Sequence, residues 1–386
     1  MLTSRIAIIG GGLSGLYAAH LLEQQGIKDY VLLEARGTFG GRVESAPFGG
    51  TQLADTVSVP NGVSRKADRF DLGPTWFWPA FQPELDRVIR DLGLTRFQQH
   101  EAGDMVIERS SMASPERMRG HLTSPPSMRL AGGMGALVDA LRSALPPDRL
   151  HSGQRVRHLH VDGQHIGLET EDIDGRRTSY RVDHVLLAVP PRLAMAAIVF
   201  SPALPDALAQ AWSATATWMA PHAKYVAVYD TPFWREQGLS GQGRSARGPL
   251  AEIHDASSPG GRAALFGFLG VPAHARTTIP DDQLLAHCRA QLTRMFGVNA
   301  GSPRAEFIKD WANDPYTATA ADREGATLHE AAPLSSAGAG AWRGRIVGIA
   351  SEWSPQFPGY LAGAIEAAGR GVQTLLKATP QERQTP

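Results

Sequence analysis

The sequence predicts an α/β fold of mixed α+β character, in which a doubly wound βαβ domain is interleaved with a smaller domain built on a mixed sheet with helices. Three observations predict it. An apolar run, Ile6-Ala7-Ile8-Ile9, leads directly into Gly10-Gly11-Gly12-Leu13-Ser14-Gly15, and a second run, Tyr30-Val31-Leu32-Leu33, ends on Glu34. That order of strand, glycine turn, helix, strand and acid is the opening of a parallel βαβ sheet. At 386 residues the chain is long enough for two domains. Further apolar or alternating runs recur through the middle of the chain and near its end, separated by helical patterns.

The elements follow in order. The first helix runs from about Leu13 to Gln25, with Gly26 suited to its C-terminal cap. Pro83 to Gly93 reads as a helix with Leu85, Val88, Ile89 and Leu92 on one face. The stretch from Ser110 to Ser127 is rich in Ser, Pro, Arg and Met and reads as loop, and Gly132-Gly133-Met134-Gly135 then opens a helix over Ala136 to Ala144. Strands are expected at Arg155 to His160, Ile166 to Thr170, Tyr180 to Val182 and Val185 to Val189, the last ending at Pro190-Pro191. Lys224 to Tyr229 is a strand, and Ser240 to Gly248 and Ser257 to Arg262 read as exposed turns. Asp281 to Phe296 is an amphipathic helix, Ala337 to Ala341 a flexible small-residue loop, Ile346 to Ile349 a strand, Leu361 to Leu376 a helix, and the last eight residues read as disordered.

The glycine turn carries chemistry. Gly10 permits the tight turn, Gly12 lets backbone approach a pyrophosphate, and Gly15 lets the helix pack closely on the strand. The helix amides and their positive end then address the phosphates. Glu34, 19 residues after Gly15, is spaced to accept hydrogen bonds from an adenosine ribose. Bulk properties narrow the alternatives. Apolar residues make up 42% and charged residues 20%, and 38 basic residues balance 38 acidic ones without a long charged block, so nucleic-acid binding through bulk charge has no support. Cys288 is the only cysteine, which rules out an internal disulfide and suits a reducing compartment. The first strand begins at Ile6, too early for a signal peptide to precede it. No unbroken apolar stretch reaches the ~20 residues of a spanning helix. A cytoplasmic protein with no membrane, nucleic-acid or metal partner is expected; its oligomeric state is left open.

Six segments in order resemble the flavin-dependent amine oxidase family, the group of monoamine, polyamine and L-amino-acid oxidases. They are Glu34-Ala35-Arg36 with Gly40-Gly41-Arg42; Asp71-Leu72-Gly73 with Trp76; Gly132-Gly133-Met134-Gly135; Val185 to Pro191; Lys224 ahead of Pro232-Phe233-Trp234; and Ser351-Glu352 with Gly359-Tyr360-Leu361-Ala362-Gly363-Ala364. The resemblance implies a Rossmann-like domain that binds FAD, formed by 1–79, 151–215 and 335–386, and a substrate domain formed by 80–150 and 216–334. It implies cofactor contacts at Gly10, Gly12, Leu13, Ser14, Gly15, Glu34, Ala35, Arg36, Gly41, Arg42, Gly73, Pro74, Thr75, Val156, Glu352, Gly359, Tyr360 and Leu361. Arg42 adds a cation near the pyrophosphate; Arg36 sits on the ribose or the phosphate; Val156 holds the adenine edge through its backbone. Glu352 reaches the ribityl-phosphate region, and amides near Leu361 and Ala362 point at the flavin pyrimidine. Without a suitably placed cysteine, the FAD is expected to be non-covalent.

Two residues stand out as catalytic, Lys224 and Tyr360. In an extended strand Lys224 shares a face with Val226 and Val228, so the side chain points inward, and by resemblance it holds a water against flavin N5. Tyr360 fits one ring of the aromatic pair with which the family orients an amine. The other ring should fall about ten residues after Trp311, where this chain has Ala320 and Ala321. Trp76, Trp78, Trp311, Tyr316 and Trp353 are candidates to compensate, the first four as pocket residues. The region from Phe81 to Ser127 is also shorter than the family's usual helical insert. Arg129, Arg192 and His222 are candidates to read a carboxylate. Three readings remain: an oxidase that moves hydride from an amine α-carbon to flavin N5, followed by imine hydrolysis and reoxidation by O2 or another acceptor with release of H2O2; a flavin-dependent carbon–carbon desaturase or porphyrinogen-oxidase-like enzyme; and a catalytically silent FAD-binding protein.

Overall fold

The computed structural model describes residues 1–48, 56–57, 65–66, 68–324 and 331–378. The terminal eight residues, expected to be disordered, lie outside the described residues. The chain divides into two compact units, one formed by 1–42, 137–220 and 315–386, the other by 43–136 and 221–314. Both are discontinuous in sequence. Residues 137–150, 216–220 and 315–334, assigned above to the substrate domain, fall in the first unit, and residues 43–79, assigned to the cofactor domain, fall in the second. There Ser45–Pro47 pairs antiparallel with Arg69–Asp71, and the Met134 amide donates to Asp71 Oδ1 at 2.7 Å.

The first unit holds two five-stranded sheets. In one, Ile6–Ile9 lies between Tyr30–Leu33 and His184–Leu187, with Leu150–His151 and Ile346–Gly348 at the edges, all paired in parallel. The runs around Ile8 and Leu32 are buried at every position, as expected of a parallel sheet covered on both faces. The helices Leu13–Gln24 and Leu361–Ala378 pack on each other. The second sheet runs Leu2–Thr3, Arg177–Val182, His165–Glu171, Arg155–Asp162, Val199–Ser201. The core includes Trp212, Trp342 and Trp353.

The second unit is built on a seven-stranded sheet in the order Glu116–Arg119, Asp104–Glu108, Leu239–Ser245, Leu250–Asp255, Ala263–Leu269, Ala223–Tyr229, Ala305–Asp310. The Ala223–Tyr229 strand is buried throughout and divides its residues by parity. Ala223, Tyr225, Ala227 and Tyr229 join Cys288, Leu292 and Phe296 of the Asp281–Phe296 helix, whereas Val226 and Val228 join Phe70, Leu72 and Phe266. Lys224 belongs by parity to the latter face.

The structure corrects two expectations. Glu116–Arg119, read as loop, is an edge strand whose four side chains face solvent, so its composition carries no apolar alternation. Leu239–Ser245, read as an exposed turn, is a largely buried strand. Its glycines mark close packing rather than a turn: a Cβ on Gly243 would stand 3.0 Å from Met295 Cε. Among the described residues no helix is long and apolar enough to cross a membrane.

Candidate active site

In the first unit the glycine turn has the shape of a phosphate cradle. A Cβ on Gly15 would come within 2.0 Å of the Gly10 carbonyl, which accounts for glycine at that position from the chain itself. Gly12 differs. The nearest atoms to a Cβ there are Gly40 O at 3.8 Å and Gly41 Cα at 3.9 Å, an ordinary fit. Nothing in the protein requires Gly12 to be bare, so its bareness fits the close approach of a ligand. The first helical hydrogen bond runs from the Leu16 amide to the Gly12 carbonyl, and no side chain caps the turn. The Leu13, Ser14 and Gly15 amides therefore precede the intrahelical ladder and are available to an anion. The Ser14 hydroxyl is already engaged, donating to the Ile349 carbonyl.

Glu34 sits at the end of the second strand, 4% exposed. One carboxylate oxygen accepts the Gly11 amide at 2.6 Å and the other accepts the Arg36 amide at 2.7 Å. Burial raises its pKa, opposed by Arg36 and these amide bonds. Each oxygen keeps a lone pair, which suits ribose hydroxyls. Arg36 reaches the Thr317 hydroxyl at 3.1 Å and lies over the Tyr316 ring, which Arg155 also approaches. Tyr316, considered above for a substrate pocket, is thus packed with these two arginines. Val156 is buried beside a β-bulge. Taken together, the bare Gly12, the open helix amides and the half-occupied Glu34 fit an adenine dinucleotide.

The same unit binds Arg42 to Glu352. Arg42 Nη1 and Nη2 meet Oε1 and Oε2 of Glu352, the latter at 3.0 Å, and Arg42 also donates to the Trp218 carbonyl at 3.1 Å. Glu352 in turn accepts the Trp218 amide at 3.3 Å. Two oppositely charged groups therefore grip both ends of one residue's backbone. The following residue, Met219, holds φ at 71°, the left-handed region that a non-glycine residue rarely adopts. The Trp218 ring stacks on Tyr360 with centroids 6.3 Å apart and planes at 22°. Tyr360 is 39% exposed and immediately precedes the Leu361–Ala378 helix. Gly359 is required here, since its φ is +81° and a Cβ would meet Trp218 Cβ at 2.7 Å.

Trp218 is the residue that sequence reasoning missed. Ala320 and Ala321, where the second ring was sought, lie at the start of a short exposed helix segment. Trp353 is buried against Trp212 and Gly348. Trp218 is 142 residues away from Tyr360 in sequence, and only its place six residues ahead of Lys224 hinted at a role.

In the second unit Lys224 is fully buried. Its ammonium donates to the Gly73 carbonyl at 3.1 Å and the Thr75 hydroxyl at 2.5 Å and lies 4.0 Å from the Phe266 ring centroid. Burial pulls its pKa down to about 7, Asp71 pulls it up and Arg129 down. Gly73 and Thr75, read above as cofactor contacts, thus hold the lysine, with Pro74 between them. Trp76 donates to Gln99 and packs on His254 and Phe266. The Trp78 amide donates to the Gln82 side chain. Trp311 is buried, its indole N–H donating to the Leu72 carbonyl. Arg129 is spent on two carbonyls; in the first unit, Arg192 is spent on Asp322. The His222 carbonyl accepts the Trp311 amide.

A family model described as flavin containing amine oxidoreductase matches residues 97–376, and one described as an NAD(P)-binding Rossmann-like domain matches residues 8–92. The chain is 23% identical to a probable flavin-containing monoamine oxidase A of Dictyostelium discoideum, over 95% of this chain and 96% of that protein. It is 28% identical to a putrescine oxidase of Kocuria rosea, over 49% of this chain and 41% of that one. Among solved structures, a putrescine oxidase bound to putrescine superposes with a TM-score of 0.75 at 20% identity, covering 97% of this chain and 99% of the other. Cyclohexylamine oxidase from Brevibacterium oxydans IH-35A gives 0.75 at 18% identity, again over 97% and 99%. At these identities the structural likeness shows the fold.

Proposed function

The chain belongs to the flavin containing amine oxidoreductase family, and on that premise we propose that it is an oxidase of small amines using non-covalently bound FAD and O2. The observation that carries the reading is the stacked Trp218–Tyr360 pair, half open to its surroundings. Two rings offer negative faces to an amino group and orient it. A missing second ring motivates the desaturase reading, and Trp218, stacked on Tyr360, offers that ring.

When bound, FAD supplies hydride acceptance from the amine α-carbon and return of the electrons to oxygen. The chain's own part is binding and proton management. Amides at the start of the Leu13–Gln24 helix hold the pyrophosphate, Glu34 the ribose, and Arg42 with Glu352 fixes the Trp218 segment. The amides of the Leu361–Ala378 helix offer positive potential to an electron-rich ring. Lys224 orders the water that hydrolyses the imine or attends reoxidation. With a pKa drawn to about 7, it carries or releases a proton near neutrality. The buried, unpaired Cys288 accords with the cytoplasmic setting we assign.

The test is an oxygen-electrode assay of FAD-loaded protein with short primary amines, a diamine and cyclohexylamine. Oxygen consumption matched by peroxide supports the proposal. Full FAD loading with no peroxide from any of them, and flavin reduction by an alicyclic hydrocarbon substrate instead, overturns it.

A further inference from the structure

We propose that Asp322, paired with Arg192, is the positioning residue that holds the turn at 217–220 and so presents the Trp218 ring to Tyr360. The Ala220 amide donates to the Thr217 carbonyl at 3.2 Å, which places Trp218 and Met219 at the two central positions of a tight turn. Met219, third in the turn, holds φ at 71°. Turns of that kind ordinarily carry glycine or asparagine there, and another residue stays in the left-handed region only where its surroundings hold it. The Trp218 ring is partly exposed, so its direction follows the turn that carries it. The hold comes from side chains outside the turn.

Arg42 and Glu352 take the carbonyl and the amide of Trp218. Asp322 takes the residue before it. Its carboxylate is buried, and Oδ1 accepts the Thr217 amide at 3.1 Å and Nη1 of Arg192 at 2.6 Å. Oδ2 accepts the amide and the hydroxyl of Thr319 at 2.9 and 2.8 Å, which fixes the carboxylate within its own segment. Arg192 closes the other side. Its Nε donates to the Ser213 carbonyl at 3.0 Å and its Nη2 to the Ala214 carbonyl at 2.5 Å, at the end of the Asp206–Ala214 helix. Carbonyls at a helix end lack intrahelical donors, and a guanidinium answers them with charge-assisted bonds. The helix end that leads into the turn and the first amide of the turn are thus tied to one ion pair. The Thr217 hydroxyl is buried without a partner, so the amide is the contact by which Asp322 holds that residue. Asp322 belongs to Ala320–Glu324, the stretch where a second ring was sought. In place of a ring, that stretch supplies the carboxylate that holds the neighbour of Trp218.

The bearing of this clamp on amine binding rests on the amine-oxidase reading, but the clamp itself does not, so it is tested first without turnover. The chain has eight tryptophans. Full-length protein grown on 5-fluorotryptophan, with FAD supplied, gives one 19F NMR signal for each, and Trp218→Leu assigns one by its loss. Tyr360→Leu shows where that signal lies without its stacking partner. Asp322→Ala should move the Trp218 signal toward that position, while the signals of Trp76, Trp78, Trp234 and Trp311 in the second unit hold and report an intact fold. In turnover, Asp322→Ala should raise KM for a short primary amine by about tenfold with kcat within about twofold, and should raise KM no further in a Trp218→Leu background. A Trp218 signal that stays in place in the folded variant, or KM effects of Asp322→Ala and Trp218→Leu that multiply, overturns the proposal. If Asp322→Ala does not fold, Asp322→Asn is read by the same signal. It keeps the size of the side chain, gives up the charge that holds Arg192, and should move the signal the same way; an unmoved signal there also overturns the proposal. A moved signal in a protein that oxidises no amine upholds the clamp and rejects only the functional reading.

Discussion

At the residue scale, Lys224 is the group whose properties follow most directly from its surroundings. The alternation of its strand puts it on the face of Val226 and Val228, and in the fold it is fully buried. What the sequence did not reveal is what accepts its protons, because Gly73 and Thr75 lie 151 and 149 residues away. The folded pKa lies near 7 against 10.5 for the free side chain. Between those values the unfolded chain binds the proton that the folded one has lost, so stability rises with pH across that window and the penalty is present in full below it. Lys224→Met should therefore stabilise the cofactor-free protein, by more at about pH 6 than at about pH 10 in urea unfolding. A pH-independent difference would contradict the burial argument. The aromatic pair is the second residue-scale feature. Trp218→Leu and Tyr360→Leu should each raise KM for an amine by about tenfold, with a smaller effect on kcat. Unchanged KM in both would remove the pair from amine binding.

At the element scale, the parallel sheet was the most legible part of the chain. Its central strands carry short apolar runs, Ile6–Ile9, Tyr30–Leu33 and Val185–Leu187, and such runs have few other ways to fold. Leu239–Ser245 was illegible for the opposite reason: Gly243 serves the approach of Met295 and Phe296, and Gly241 that of Asp255 and Trp234, contacts with no local signal. The glycine turn itself yields a prediction. Gly12→Ala introduces a methyl group that the protein tolerates but a pyrophosphate does not, so thermal stability without cofactor should hold while FAD affinity falls by at least about tenfold. Gly15→Ala should fail to fold normally, because of the Gly10 carbonyl 2.0 Å away. The Arg42–Glu352 pair joins the glycine-turn region to the Ser351–Trp353 turn. Arg42→Met leaves Glu352 buried and unpaired and should cost about 3 kcal/mol in denaturant unfolding, more than the double variant Arg42→Met/Glu352→Gln.

At the scale of the whole molecule, the order of motifs carried more information than any one of them. A glycine turn, an acid, an arginine, an inward lysine or a terminal helix can each occur singly in many kinds of protein. Their succession along one chain points to the amine oxidoreductase family, to which the chain belongs. The parts that stayed hidden are contacts between residues far apart in sequence: Trp218 against Tyr360, Arg42 against Glu352, and Asp71 against Met134. Each is created by folding, and no periodicity or spacing encodes it. The central claim is that this arrangement oxidises amines through a bound flavin. Anaerobic mixing of the FAD-loaded protein with a short primary amine tests it most directly, followed by admission of air. The account predicts loss of the flavin's visible absorption on mixing and its return, with peroxide, in air. A protein that binds no FAD, or one whose colour persists with every amine offered, would contradict it.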